Sequence, residues 1–276
     1  MERYKEIERS IITTYRSRLW SKFMRAIKEY ELIKENDRIC VCISGGKDSM
    51  VMAKLFQELK RHSDVYFELE FIVMNPGYNK KNLDKIKENL EILNIEAKIF
   101  ETDIFEVAAV QVKSPCYLCA KMRRGALYNF AQSLNCNKIA LGHHYDDVIE
   151  TTLMNMLNSG TFQTMLPKLH SDNYNGMELI RPLYLIREKD IKGWCKRNEL
   201  EFIECACKFT DEVKSDKVSS QRLKTKMLIK ELISYNQFVE SNIFSSASNV
   251  NIDMILGYKK GDEYISYLDD YDKKGE

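Results

Sequence analysis

Three short stretches of this 276-residue chain hold residue types that do chemistry in combination. Ser44-Gly45-Gly46-Lys47-Asp48-Ser49 joins the apolar run Arg38 to Ile43 to a segment of helical spacing. Glycines let a backbone approach phosphate oxygens with no Cβ in the way. Backbone N–H groups at a helix N-terminus then hold the anion. Ser44 and Ser49 add hydroxyl donors, and Lys47 adds a point charge. Cys116-Tyr117-Leu118-Cys119 opens a second helical segment, where the helix dipole and Lys121, Arg123 and Arg124 favour thiolates. Such a pair serves redox chemistry, metal binding or persulfide transfer; its place after a third strand of a nucleotide-binding sheet argues against a thioredoxin-like use. Gly142-His143-His144-Tyr145-Asp146-Asp147 follows a fourth strand, so Gly142 and His143 are expected near the nucleotide. Asp146, Asp147 and Glu150 are expected to hold Mg2+ or to position a substrate.

These stretches need elements to hold them. Apolar runs at Arg38–Ile43, Phe67–Met74, Ile95–Phe100 and Lys138–Leu141 predict strands. Glu178–Leu183 and Glu201–Glu204 offer a fifth. Helical spacing between them, over about 49–61, 79–93, 118–134, 145–157 and 188–198, gives βαβ units and hence a parallel sheet. The expectation is an α/β, doubly wound, five-stranded sheet with helical extensions: residues 1–36 before it, 37–210 as the nucleotide-binding domain, and 211–276 as a helical region with a tail. Residues 3–33 read as one helix, with Ile11, Tyr15, Leu19, Phe23 and Ile27 on one face. In a sheet of this type the ligand lies outside the carboxyl ends of the strands, where strand order reverses. Strands one and four would flank that crevice.

Bulk composition sets the class. At 44% hydrophobic and 30% charged residues the chain is an ordinary globular one. It has no apolar run long enough to span a membrane and no apolar leader core, so a cytoplasmic, membrane-free protein is expected. Eight cysteines then read as thiols rather than disulfides. Cys40, Cys42, Cys136 and Cys195 fall in apolar or helical patterns, as small buried hydrophobes do. Net charge is only +1, yet Arg9, Arg16, Arg18, Lys22, Arg25 and Lys28 lie in a stretch without acids. A second basic run covers Lys214 to Lys230, and either face suits a phosphate backbone.

The hexapeptide 44–49 is not the Walker pattern. It resembles the PP-loop, S-G-G-x-D-S, of the ATP pyrophosphatases, which cleave ATP between the α and β phosphates and transfer AMP. Cys116-Tyr117-Leu118-Cys119-Ala120-Lys121-Met122-Arg123-Arg124-Gly125-Ala126-Leu127-Tyr128 is similar to C-x-L-C-x-x-x-R-R-G-x-L-Y of the tRNA 2-thiocytidine synthetase family. Lys138 to His144, Leu166-Pro167-Lys168-Leu169, Ile180-Arg181-Pro182-Leu183 and Arg187-Glu188-Lys189-Asp190-Ile191 also fit that family, over about residues 39–205.

The resemblance implies ATP and Mg2+ at the loop, with Lys47, Asp48 and Asp147 in catalysis. It implies a 4Fe–4S cluster on Cys116, Cys119 and a third cysteine after the fifth strand. Cys205 is expected in that role and Cys207 is its alternative, because the chain has C-x-C where the family has P-C-x-x-C. A closed four-thiolate zinc site is the rival. The implied partners are tRNA and a sulfur donor, a cysteine desulfurase or free sulfide, with room for a homodimer. The implied reaction adenylates the C2 oxygen of a cytidine, at position 32 of the anticodon loop, and replaces it with sulfur. A uridine 2-thiolase and a lysidine-synthetase-like ligase are the neighbouring readings.

Overall fold

The computed structural model describes residues 2–109, 115–203 and 218–271. The chain forms two compact units: residues 1–148 with 165–220, and residues 149–164 with 221–276.

The first unit is built on a sheet. Among the described residues its strands are β1 (Asp37–Ile43), β2 (Phe67–Asn75), β3 (Lys98–Glu101), β4 (Lys138–Ala140), β5 (Lys168–His170) and β6 (Glu178–Ile180), in the order β3-β2-β1-β4-β6-β5. All neighbours are parallel except β5, which runs antiparallel to β6 along Lys168↔Ile180 to His170↔Glu178. The doubly wound sheet therefore carries one strand beyond the expected five. The extra strand is β5, at the edge. Glu201–Ile203 is no strand: its backbone is irregular, the Glu201 carbonyl accepts from Asn89 Nδ2 at 2.9 Å, and Ile203 lies against Gly45.

Helices α3 (Lys47–His62), α4 (Lys80–Ile92), α5 (Ile104–Ala109), α6 (Pro115–Ser133), α7 (Tyr145–Ser159) and α8 (Glu188–Arg197) follow or link these strands. The central strand β1 has parallel neighbours on both sides and is buried along nearly all its length, which is why its sequence is a continuous apolar run rather than an alternating one. Cys40, Cys42 and Cys136 are buried with Ile72 and Ile139 in one apolar cluster, and Cys195 is buried on α8. At the amino end of the sheet a buried Lys138 is held by Asp37 (2.9 Å), Glu178 (3.0 Å) and the Leu32 carbonyl (2.9 Å).

The N-terminal segment belongs to this unit. Its helix is interrupted: α1 (Arg3–Ile12) and α2 (Ser21–Glu29) are separated by a π-helical turn, Arg16–Trp20, rather than joined as one helix. The interruption begins at Thr13-Thr14, two β-branched residues of low helix propensity. Ile11, Leu19, Phe23 and Ala26 are fully buried, Phe23 meets Phe56 edge to face at 5.5 Å, and Trp194 Nε1 donates to Ser10 Oγ at 2.9 Å. Lys54, fully buried on α3, donates to Glu8 Oε1 at 2.5 Å and to the Leu93 carbonyl at 2.7 Å.

The second unit takes the rest of α7 together with α9 (Val218–Tyr235), α10 (Val239–Ser246) and a hairpin of β7 (Gly257–Lys260) and β8 (Glu263–Ser266). Inside it a buried Glu150 pairs with Arg222 at 3.1 Å and Lys226 at 4.0 Å.

Candidate nucleotide and thiol site

Residues 44–49 form the turn between β1 and α3. Gly45 has φ +84°, and a Cβ there would stand 2.6 Å from Ile86 Cγ1 and 2.8 Å from Ile203 Cδ1. Both the backbone sign and the space demand glycine. Gly46 is the N-cap of α3 and supplies no side-chain acceptor, so the first amides of α3 are left uncapped. In α4, by contrast, Asn79 accepts from the Asn82 amide at 2.8 Å. Ser49 Oγ donates to the Gly46 carbonyl at 2.9 Å, accepts from the Ser44 amide at 3.1 Å, and lies 3.2 Å from Ser44 Oγ. The turn is fixed by its own hydroxyls while its helix amides stay open to an anion.

Gly142, just past β4, abuts this turn. A Cβ on it would lie 3.1 Å from the Ser49 nitrogen and 3.2 Å from the Asp48 carbonyl carbon. The carboxyl end of β4 therefore touches the start of α3 backbone to backbone, at the point where strand order reverses.

A cleft of about 440 Å³ opens there. Ser44, Asp48 and Ser49 line one side, and Gly142, His143 and Asp147 another. The third side is α6, through Ala120, Arg123, Arg124 and Leu127. Cys116 stands in the first turn of that helix and Cys119, half-buried, one turn further on. Residues three apart on a helix share a face. Cys205 and Cys207 lie outside the described residues.

The acids divide by helical position. Asp147 borders the cleft, and its Oδ2 accepts from the His144 amide at 3.0 Å. Asp146 is turned to α8, where it accepts from the Glu188 amide at 2.7 Å and pairs with Arg187 at 3.2 Å. Glu150 is taken by Arg222. Of the three carboxylates read as metal or substrate ligands, Asp146 and Glu150 thus tie elements together. Asp48 Oδ1 is buried and accepts no hydrogen bond; the buried His144 Nε2 is 3.9 Å from it.

Lys47 leans away from this cleft into a neighbouring one of about 770 Å³, shared with Glu188, Lys192 and Lys196. Its ammonium is 3.0 Å from Asp48 Oδ2 and 3.2 Å from Glu188 Oε1. Burial works to lower its pKa, but the Asp48 and Glu188 carboxylates more than offset that and hold it above the ordinary lysine value. Glu188 carries no role in the sequence reading; the Arg187-Glu188 motif was the available signal. Arg181, past β6, is a second such residue. It is drawn down to about 10 by burial, with Arg124 adding to the effect, and its Nε is buried with no hydrogen-bond partner.

Parallel strands, a reversal between β1 and β4, an uncapped glycine turn and a thiol-bearing helix across one cleft define a nucleotide-binding fold of the adenylating type. A PP-loop domain model matches residues 16–214. The tRNA-cytidine(32) 2-sulfurtransferase of Geotalea uraniireducens is 35% identical over 238 residues, 85% of this chain and 92% of that protein. The protein of the same name from Citrifermentans bemidjiense is 34% identical over 85% of this chain and 91% of its own length. Among solved structures, the U34-tRNA thiolase NcsA from Methanococcus maripaludis, with its 4Fe–4S cluster, superposes with a TM-score of 0.65. At 22% identity it covers 87% of this chain and 80% of its own, a likeness of fold. The chain belongs to the PP-loop family and, within it, to the tRNA-cytidine(32) 2-sulfurtransferases. Among the described residues, no helix is long and apolar enough to cross a membrane.

Proposed function

We propose that this protein is an ATP-dependent tRNA sulfurtransferase that adenylates the C2 oxygen of cytidine 32 and replaces it with sulfur. One observation carries the reading: a single cleft is bordered by the open turn 44–49 and by the helix that bears Cys116 and Cys119.

A pyrimidine C2 oxygen is a poor leaving group until it is converted to a phosphate ester. In this reading the uncapped amides of α3, with the Ser44 hydroxyl, bind the polyphosphate of ATP and orient its α-phosphate toward the cleft, while Ser49 holds the turn. Lys47 stands beside the turn to balance charge on the departing pyrophosphate. Gly142 and His143 form the wall against which the nucleotide lies, and Arg123 and Arg124 face the incoming RNA. The base leaves its stack to reach the cleft, which an unpaired anticodon-loop nucleotide does at low cost.

The buried, unsatisfied oxygen of Asp48 fits a cation, and Asp147 borders the same cleft. Mg2+ binds through one or two carboxylates together with substrate phosphates, so this sparse set suits it. Bound there, it would offset the charge that develops on the phosphates. Cys116 and Cys119 fit two ligands of a 4Fe–4S cluster, with Cys205 as the third. Such a cluster would supply sulfur as the nucleophile toward C2, fed by a cysteine desulfurase or by free sulfide.

The test is anaerobic purification, visible spectroscopy and thionucleoside mapping of tRNA from a deletion strain. The expected results are a broad iron–sulfur absorption, its loss in Cys119→Ser and Cys205→Ser but not in Cys207→Ser, and disappearance of 2-thiocytidine. A colourless zinc protein with unchanged tRNA would overturn the proposal.

A further inference from the structure

Helix α8 separates its charges. Its acids are turned in and occupied: Glu188 (15% exposed) by Lys47 and Lys192, and Asp190 (12% exposed) by Lys22 at 3.4 Å. Its cations, Lys189, Lys192, Lys196 and Arg197, are exposed. Lys189, Lys192 and Lys196 follow one another at spacings of three and four, a single stripe along the helix.

The π-helical turn Arg16–Trp20 lies against the same helix. Gly193 makes the close approach possible, since a Cβ there would meet Tyr15 Oη at 3.3 Å. The Lys22–Asp190 pair and the Trp194–Ser10 hydrogen bond fasten the two segments. Arg16 and Arg18 on this turn are exposed, and no acid occurs between residues 9 and 28. Two segments distant in sequence thus form one cationic strip. At one side it reaches the nucleotide turn, where Lys192 and Lys196 border the same cleft as Gly46 and Lys47. Glu201 borders that cleft as well, and Glu199 follows the last turn of α8.

From this strip we infer a second RNA contact beyond the catalytic cleft: a track for the sugar–phosphate backbone, formed by Lys189, Lys192 and Lys196 of α8 with Arg16 and Arg18. The occupant is an RNA strand because the strip has the repeated like charge that a polyanion neutralises and runs into the site where RNA reacts. The inference rests on the reading that the substrate is tRNA.

The test uses the full-length protein loaded with its cofactor. Three double variants are compared with wild type: Lys189→Glu/Lys196→Glu, Arg16→Glu/Arg18→Glu, and a control at two exposed lysines outside the strip, Lys34→Glu/Lys87→Glu. Affinity for unmodified tRNA is measured from 50 to 200 mM salt, alongside ATP affinity and the melting temperature. Each strip variant is expected to weaken tRNA binding about tenfold or more and to flatten the log–log salt slope by about 1.4 to 1.8, two phosphate contacts' worth. Melting temperatures should match wild type in all three variants, as should ATP affinity in Arg16→Glu/Arg18→Glu, and the control should match wild type throughout. Unchanged tRNA affinity and slope in both strip variants, with wild type binding normally, would overturn the track and leave the proposed activity standing. So would strip variants that lose only binding to vesicles of anionic lipid. Wild type that binds no tRNA at all would instead remove the activity itself.

Discussion

The contact between Gly142 and the turn can be tested by adding one methyl group. In Gly142→Ala the new Cβ would lie 3.1 Å from the Ser49 nitrogen, 3.2 Å from the Asp48 carbonyl carbon and 3.3 Å from the Ser49 Cα. Optimal heavy-atom contacts are about 3.5–4.0 Å, so a gap of roughly 0.2–0.9 Å must open. No side chain can yield it, because all three neighbours are backbone in the first turn of α3, which Ser49 Oγ ties to Gly46 and Ser44. Over-packing of this kind costs about 1–3 kcal/mol. For a chain of this size that is a fall in melting temperature of about 2–12 °C. The displaced amides are those proposed to meet the polyphosphate. Since a 1 Å misplacement can cost about a hundredfold in rate, about half of it should cost roughly tenfold. Thermal melts across an ATP–Mg2+ titration read both effects, stability at zero ligand and affinity from the ligand-dependent rise. A variant with wild-type melting temperature and an unchanged ATP response would refute the backbone contact.

Three further outcomes follow from the same structure. Asp146→Ala removes the acceptor for Arg187 and for the Glu188 amide, and should cost about 1.5–3 kcal/mol in denaturant unfolding; Asp48→Asn and Asp147→Asn should instead abolish AMP formation while melting near wild type. Lys138→Ala removes the buried ammonium shared by Asp37 and Glu178, leaving Asp37 only the Lys34 amide and Asn137 Nδ2 and Glu178 only His170, and should destabilise by about 3–5 kcal/mol by the same measurement. Acid should unfold the first unit through Glu8, Glu70 and Glu178. Burial alone would raise each of their pKa values, but Arg61 and Lys54, Lys98 and Arg38, and Lys138 respectively hold them below the ordinary glutamate value. A depressed carboxylate stabilises the fold above its unfolded pKa and loses that contribution as pH falls through the folded one. Stability should therefore be flat toward neutrality and decline below about pH 4.5. Urea midpoints between pH 3 and 7 check the window, and Glu178→Gln should reduce the slope.

Local chemistry made part of this molecule readable in the sequence. Six adjacent residues contain both the turn and the hydroxyls of 44–49, so the strand–turn–helix placement needed no distant partner. The continuous apolar run of β1 likewise announced a strand covered on both sides. What escaped were features settled between elements. Thr13-Thr14 sits inside an otherwise unbroken helical pattern, and nothing in its spacing announces a π-helical turn. Lys168-Leu169-His170 is too short and polar to signal an edge strand, while Glu201–Ile203 has a strand's composition but is drawn to α4 and to Gly45. Asp146, Asp147 and Glu150 are near neighbours along the chain, yet the helix sends them to α8, to the cleft and to α9. Only the middle one remains at the site. Glu188 went unread because its importance lies in Lys47, 141 positions earlier in the chain.

That Lys47–Glu188 pair, with Asp48 on the other side, gives the turn an internal counter-ion. In the free protein the lysine is already neutralised, so an arriving anion must outcompete two fixed carboxylates. A triphosphate that also engages the α3 amides gains more from that exchange than a singly charged anion does. An anion that draws Lys47 to itself therefore also releases Glu188, one of the ties between the turn and α8.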